Sequence, residues 1–247
     1  METAYLHRAT ENPPELPFAS PAYRWVLLAM LLPATIFEGY DITIFHLCVP
    51  DLARSFHLSD ATVGTIAAIV RMGGILSFFV VTLADRFGRK PMLTGTIVGY
   101  GFCTLLTATA TGAVSFTIFQ SLAQVFLAAE FGIAVTVISE EFPDEQRGRA
   151  VSLLLVAAFL GVTAAGLLYG PISTSRWGWR GMYVVGVVPV LLIARIRGRM
   201  HETSRFEASD QSREGGSAER PGLLEPLRNC LSPMRGPWVG RMILVAI

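Results

Sequence analysis

Four charged side chains stand inside long apolar runs of this sequence: Glu38, Asp41, Arg71 and Glu130. At the centre of a bilayer each would cost roughly 2.5–3.5 kcal/mol, so none of them can face lipid. They must pair with one another or line a wet cavity. Two chemistries follow, and they can coexist. One is a set of salt bridges that holds helices together; the other is a pathway for protons and a substrate. Glu38 and Asp41 are three residues apart and are expected on one helix face. Arg71 has Gly64, Gly74 and Asp85 within ~60° of it on a helical wheel, a small and polar face unlike a lipid face. By residue count Arg71 is ~15 Å deep and Glu130 ~22 Å, close enough for Arg71 to pair with Glu130 or Asp41. Alternatively, its guanidinium can bind a substrate carboxylate with two parallel hydrogen bonds.

The elements that must carry these residues are transmembrane helices. Only 16% of the 247 residues are charged and 52% are hydrophobic, against about 25% charged in a soluble domain. The mean hydropathy is +0.49. Apolar runs cover about 25–49, 61–84, 92–110, 113–138, 150–169 and 182–194, the first expected to end at Pro50. A ~30 Å hydrocarbon core needs roughly 20 helical residues, and runs without alternation select helices over a barrel. The fold class is therefore all-α transmembrane. Residues 1–22 read as a cytoplasmic tail with no signal-peptide pattern, 23–199 as a six-helix bundle, and 200–236 as a polar cytoplasmic loop. That loop has room for short interfacial helices around 223–231. Residues 237–247 turn apolar again and read as the start of a seventh, truncated helix.

Basic residues cluster after the second, fourth and sixth runs: Arg86, Arg89 and Lys90; Arg147 and Arg149; Arg195, Arg197 and Arg199. This bias predicts a cytoplasmic N-terminus. The net charge of +1, without a basic stripe, excludes nucleic acid as a partner. Cys48, Cys103 and Cys230 have neither metal-ligand nor disulfide spacing, and no cofactor or metal is expected. His46 and His57 are isolated and read as structural. There is no Ser-His-Asp set, His-rich cluster or phosphate-cradling loop to suggest a membrane enzyme.

The loop after the second run, Asp85-Arg86-Phe87-Gly88-Arg89-Lys90, places an acid at a helix end before a tight glycine turn. It resembles the major facilitator superfamily signature G-x-x-x-D-R-x-G-R-R/K. Val81 stands where that family usually has glycine, which predicts looser packing of the second helix on its partner. Glu140, Pro143, Arg147, Gly148 and Arg149 match the family's E-x-x-P-x-x-x-R-G-R. Trp179-Arg180 is similar to its G-W-R segment, and Glu202-Thr203-Ser204-Arg205-Phe206 to a P-E-S-P-R without its prolines. Glu38-Gly39-Tyr40-Asp41 resembles the D-G-[FY]-D of proton-coupled organic-acid and aromatic-acid symporters. The family's R-x-x-x-G-x-x-x-G falls on Gln120, Gln124 and Ala128, so its arginine is absent. Gly161, Gly166, Gly170 and Pro171 partly resemble a glycine motif of drug antiporters, and close helix packing explains them equally well.

The resemblance implies the N-terminal six-helix half of a twelve-helix fold that works by alternating access, embedded in the cell membrane. It implies a secondary transporter, foremost a proton-coupled symporter of a small organic anion; the alternatives are an efflux antiporter or a half-transporter inactive by itself. The expected partners are a small solute, a proton, the bilayer, and a missing C-terminal half or a second copy. Asp41 is the first candidate proton carrier, because a carboxylate takes up a proton when desolvated and releases it when hydrated. Glu38, Arg71, Glu130, Gln120 and Gln124 complete the expected pathway. Asp85, Arg86, Gly88, Arg89, Lys90, Glu140, Arg147 and Arg149 form the expected cytoplasmic gate.

Overall fold

The computed structural model describes residues 21–197. These form six helices: α1 Pro21–Phe56, α2 Asp60–Phe87, α3 Arg89–Ala108, α4 Ala113–Glu141, α5 Asp144–Ser173 and α6 Gly178–Arg197. All six are long and apolar enough to cross a membrane. The segments expected as an interfacial helix and a seventh helix, and Glu202–Phe206, lie outside the described residues.

The helix ends follow local chemistry. Ser59 caps α2 by accepting a hydrogen bond from the Thr62 amide at 3.3 Å. Gly88, at φ 98°, makes the turn between α2 and α3, a backbone region that costs glycine no Cβ clash. Pro143 precedes α5, whose first turn carries Asp144 and Glu145 toward the positive end of the helix dipole.

One boundary differs from the sequence expectation. The first helix does not end at Pro50 but continues to Phe56. Its last turns are tied to neighbouring helices, which outweighs the hydrogen bond that proline cannot donate. Tyr169 of α5 donates to Asp51 Oδ2 at 2.8 Å, and Trp179 of α6 donates to Ser55 Oγ at 3.2 Å.

Apart from α3 and α4, helices adjacent in sequence are not the main packing partners. α1 packs against α5 and α6, α2 against α4, and α3 against α4 and α6, while α1 and α2 barely touch. Shifting each helix by three maps α1–α5 onto α4–α2 and α1–α6 onto α4–α3. The pairing of helices thus recurs after three helices, the pattern expected of two interleaved three-helix repeats.

The α1–α5 crossing is backbone on backbone. A Cβ on Gly161 would lie 1.8 Å from the Ile36 carbonyl oxygen, and one on Gly39 would lie 1.9 Å from the Ala158 oxygen. Small residues let lipid-embedded helices approach in this way. Gly166 and Gly170 have open space around them, so packing accounts for Gly161 and not for the rest of that glycine series. Three apolar clusters fill the bundle. One centres on Phe116, Trp179 and Tyr183, one on Ile97, Tyr100 and Leu127, and one on Leu31, Val137 and Phe142.

Candidate functional site

α1, α2 and α4 enclose a cavity of about 250 Å³ whose polar wall is Asp41, His46, Arg71, Gln120 and Gln124, with Phe45 and Val70 as apolar wall. Asp41 and Gln120 are each 1% exposed. Gln120 Nε2 donates to Asp41 Oδ2 at 3.3 Å. The other oxygens of this pair, Asp41 Oδ1 and Gln120 Oε1, accept no hydrogen bond among the described residues. Gln120 and Gln124 are four apart on α4, which turns both toward the same space.

At the open side of the cavity, Arg71 Nη2 lies 3.4 Å from His46 Nε2. A guanidinium has only donors, so this His46 nitrogen accepts. Among the described residues Arg71 forms no ion pair, and the expected pairing with Asp41 or Glu130 is not made. Glu130 is instead a neighbour of α3, accepting a hydrogen bond from Thr96 Oγ1.

Glu38 and Asp41 do not address one space. Glu38 lines a second, mostly apolar cavity of about 280 Å³ with Gly39, Phe131, Ala158 and Phe159. Three residues on a helix still differ by about 60° in direction. The close α1–α5 crossing at Gly39 makes that difference decisive, sending Glu38 toward α5 and Asp41 toward α4 and α2. Ile42 touches both cavities.

His46 carries more than its isolation in sequence suggested. Its partner Arg71 is 25 residues away. The expected helix end at Pro50 hid the match in depth: counted from the observed end at Phe56, His46 is about 15 Å deep, and Arg71 is about 17 Å from the start of α2, the same level from the same side. Tyr100 and Tyr183, both fully buried near Asp41, also escaped the sequence reading. Nothing in their spacing marks them.

The loop charges between α2 and α3 meet those at the end of α4. Arg89, 8% exposed, donates from Nε to Glu140 Oε2 at 3.0 Å and from Nη2 to Glu140 Oε1 at 2.7 Å. It also reaches Asp85 Oδ1 at 2.9 Å and the Ala84 carbonyl at 3.0 Å. Arg147 pairs with Asp144 and donates to the Phe142 carbonyl at 2.9 Å. Arg86 lies over the Phe87 ring, 5.7 Å from its centroid. Lys90 is partly buried beside Arg89 in sequence, and Arg149 is exposed. The cluster therefore gathers Asp85, Arg89 and Glu140, while Arg147 serves the turn into α5.

The packing at Val81 also differs from expectation. Gly132 of α4 faces it, and a Cβ there would come within 2.9 Å of Val81 Cγ2. The small residue sits on the partner helix, so α2 and α4 remain close with a valine at position 81.

A sequence profile of the Major Facilitator Superfamily matches residues 31–246. The chain belongs to the major facilitator superfamily. It is similar to the gallate transporter of Pseudomonas putida, 24% identical over 77% of this chain and 43% of that protein. It is also similar to the gentisate transporter of Corynebacterium glutamicum, 26% identical over 78% of this chain and 44% of that protein. The chain thus spans less than half the length of these curated relatives. The structure superimposes on the major facilitator superfamily proton:xylose symporter XylE with a TM-score of 0.72 at 19% identity, covering 85% of this chain and 50% of that one, which establishes the shared fold. With six membrane-length helices and this ancestry, the chain is an integral membrane protein.

Proposed function

We propose that this major facilitator superfamily protein is a proton-coupled symporter of a small organic anion, working by alternating access. One observation carries the reading. A buried acid, Asp41, and a guanidinium without an acidic partner among the described residues, Arg71, face the same cavity. The acid supplies a proton site and the guanidinium an anion site, and both are accessible to one solute-filled space. The gallate and gentisate transporters among its relatives support an organic anion as substrate. The protein moves its solute without changing it covalently.

On this reading residues 1–22 form a cytoplasmic tail and 23–199 the six-helix unit. The Asp85–Arg89–Glu140 cluster holds the cytoplasmic end, and the protein resides in the cell membrane. A second six-helix half, or a second copy, completes the pathway. Glu38 and Glu130, which stand away from the charged cavity, serve the helix packing and the second cavity.

The deciding experiment places the full-length protein in vesicles with an imposed pH gradient. Wild type accumulates an organic anion uphill, and Asp41→Asn loses that accumulation while downhill exchange survives. Accumulation by Asp41→Asn equal to wild type would falsify the proton role.

A further inference from the structure

The charged cavity is polar at two ends that differ in kind. One end presents donors: Arg71 spends one N–H on His46 and keeps the others unpaired among the described residues. The other end presents acceptors: Asp41 Oδ1 and Gln120 Oε1 are buried and accept nothing among the described residues. Buried acceptors without a donor are costly, so a ligand that brings a donor is favoured over one that does not. Asp41 and His46 are five residues apart on α1, a rise of about 7.5 Å. That separation is comparable to the length of one six-membered ring with its carboxylate. Phe45, between them in sequence, supplies an apolar wall, and the volume of about 250 Å³ suits a single ring.

We infer that the cavity takes a single-ring carboxylate in one orientation, with His46 and Arg71 holding the carboxylate and Asp41 with Gln120 receiving a hydroxyl at the far end of the ring. This rests on the proposed anion-transport function and adds the direction of binding, a selectivity for the hydroxyl, and a role for His46. The guanidinium binds the carboxylate through charge-assisted hydrogen bonds. His46, held through Nε2 by Arg71, keeps its Nδ1 side as a further donor. The hydroxyl donates to Asp41 Oδ1 or Gln120 Oε1. The buried Tyr100 hydroxyl lies beside Asp41, so a ring without that hydroxyl leaves Gln120 Oε1 as the unpaired acceptor, and a site built to hydrogen-bond a hydroxyl rejects its absence.

The test measures equilibrium binding of radiolabelled 4-hydroxybenzoate and benzoate to the purified full-length protein. Wild type is expected to bind 4-hydroxybenzoate at least about tenfold more tightly than benzoate, the equivalent of one net hydrogen bond. Arg71→Ala and His46→Ala weaken both ligands together and preserve the ratio. Gln120→Leu lowers the ratio toward one. Gel filtration and thermal unfolding of each variant separate loss of the fold from loss of binding, and His46→Gln, which retains a donor, restores part of the affinity. Equal affinity of wild type for the two acids overturns the hydroxyl pocket while leaving the anion-transport reading standing. Arg71 and His46 variants that bind both acids like wild type overturn the orientation. Failure of wild type to bind either acid overturns this inference, while uphill accumulation of an organic anion in the pH-gradient vesicles decides the anion reading separately.

Discussion

Arg89 and Glu140 are joined by two hydrogen bonds, Nε to Oε2 at 3.0 Å and Nη2 to Oε1 at 2.7 Å, between the start of α3 and the end of α4. Their side chains are 10% and 6% exposed, whereas that of Asp85, the second acid on Arg89, is half exposed. One arginine thus bridges a fixed acid and a hydrated one. Breaking a buried pair by neutralising one partner costs about 3 kcal/mol, while a half-exposed pair contributes about 1 kcal/mol or less. Glu140→Gln should therefore lower the thermal unfolding temperature in detergent clearly. Asp85→Asn should leave unfolding and membrane insertion near wild type yet slow transport in the full-length protein, because only the hydrated contact is free to open. Equal unfolding curves for the two variants would sink this division of labour.

The α1–α5 crossing makes a second, purely steric prediction. Gly161→Ala places a methyl 1.8 Å from the Ile36 carbonyl oxygen, and backbone cannot swing aside as a side chain does. Overpacking of a core costs typically 1–3 kcal/mol, and a backbone collision belongs at or above about 3 kcal/mol. Gly166→Ala and Gly170→Ala meet nothing within 4 Å. Monodisperse yield after extraction should collapse for the first variant and stay near wild type for the other two. A normal yield of Gly161→Ala refutes the crossing.

The Val81–Gly132 contact is testable as a double-mutant cycle. Gly132→Ala should destabilise by about 1–2 kcal/mol, because the new methyl meets Val81 Cγ2 at 2.9 Å. Adding Val81→Ala removes that methyl's obstacle, so the double variant should recover most of the loss. Contacting residues couple by about 0.5–3 kcal/mol, and additive effects in thermal unfolding would show that the two do not touch.

Topology is expected to place the loop between α3 and α4 outside the cell and the start of α5 inside. With Cys48, Cys103 and Cys230 replaced by alanine, a thiol at Thr111 should react with a membrane-impermeant maleimide in intact cells. One at Asp144 should react only after permeabilisation. Both positions are solvent-exposed, so access depends on the side of the membrane alone. Labelling of both from outside contradicts the orientation drawn from the basic loops.

The sequence by itself determined the number of spans, because backbone polar groups in lipid must be satisfied within a helix, and an apolar run of sufficient length already meets that requirement. It also determined the turn at Gly88 and the presence of charges at Asp85, Arg89 and Glu140, since a left-handed backbone and a membrane-edge arginine are local necessities. Tertiary structure alone decided which buried charges meet. Helical periodicity states which direction a side chain leaves its own axis but not which neighbour waits there, and the main neighbours of α1 and α2 are not consecutive: α1 lies on α5, and α2 on α4. For that reason Glu38 and Asp41, one turn apart, ended at different cavities. For the same reason Arg71 met His46 rather than an acid, and the room that position 81 lacks was found on Gly132.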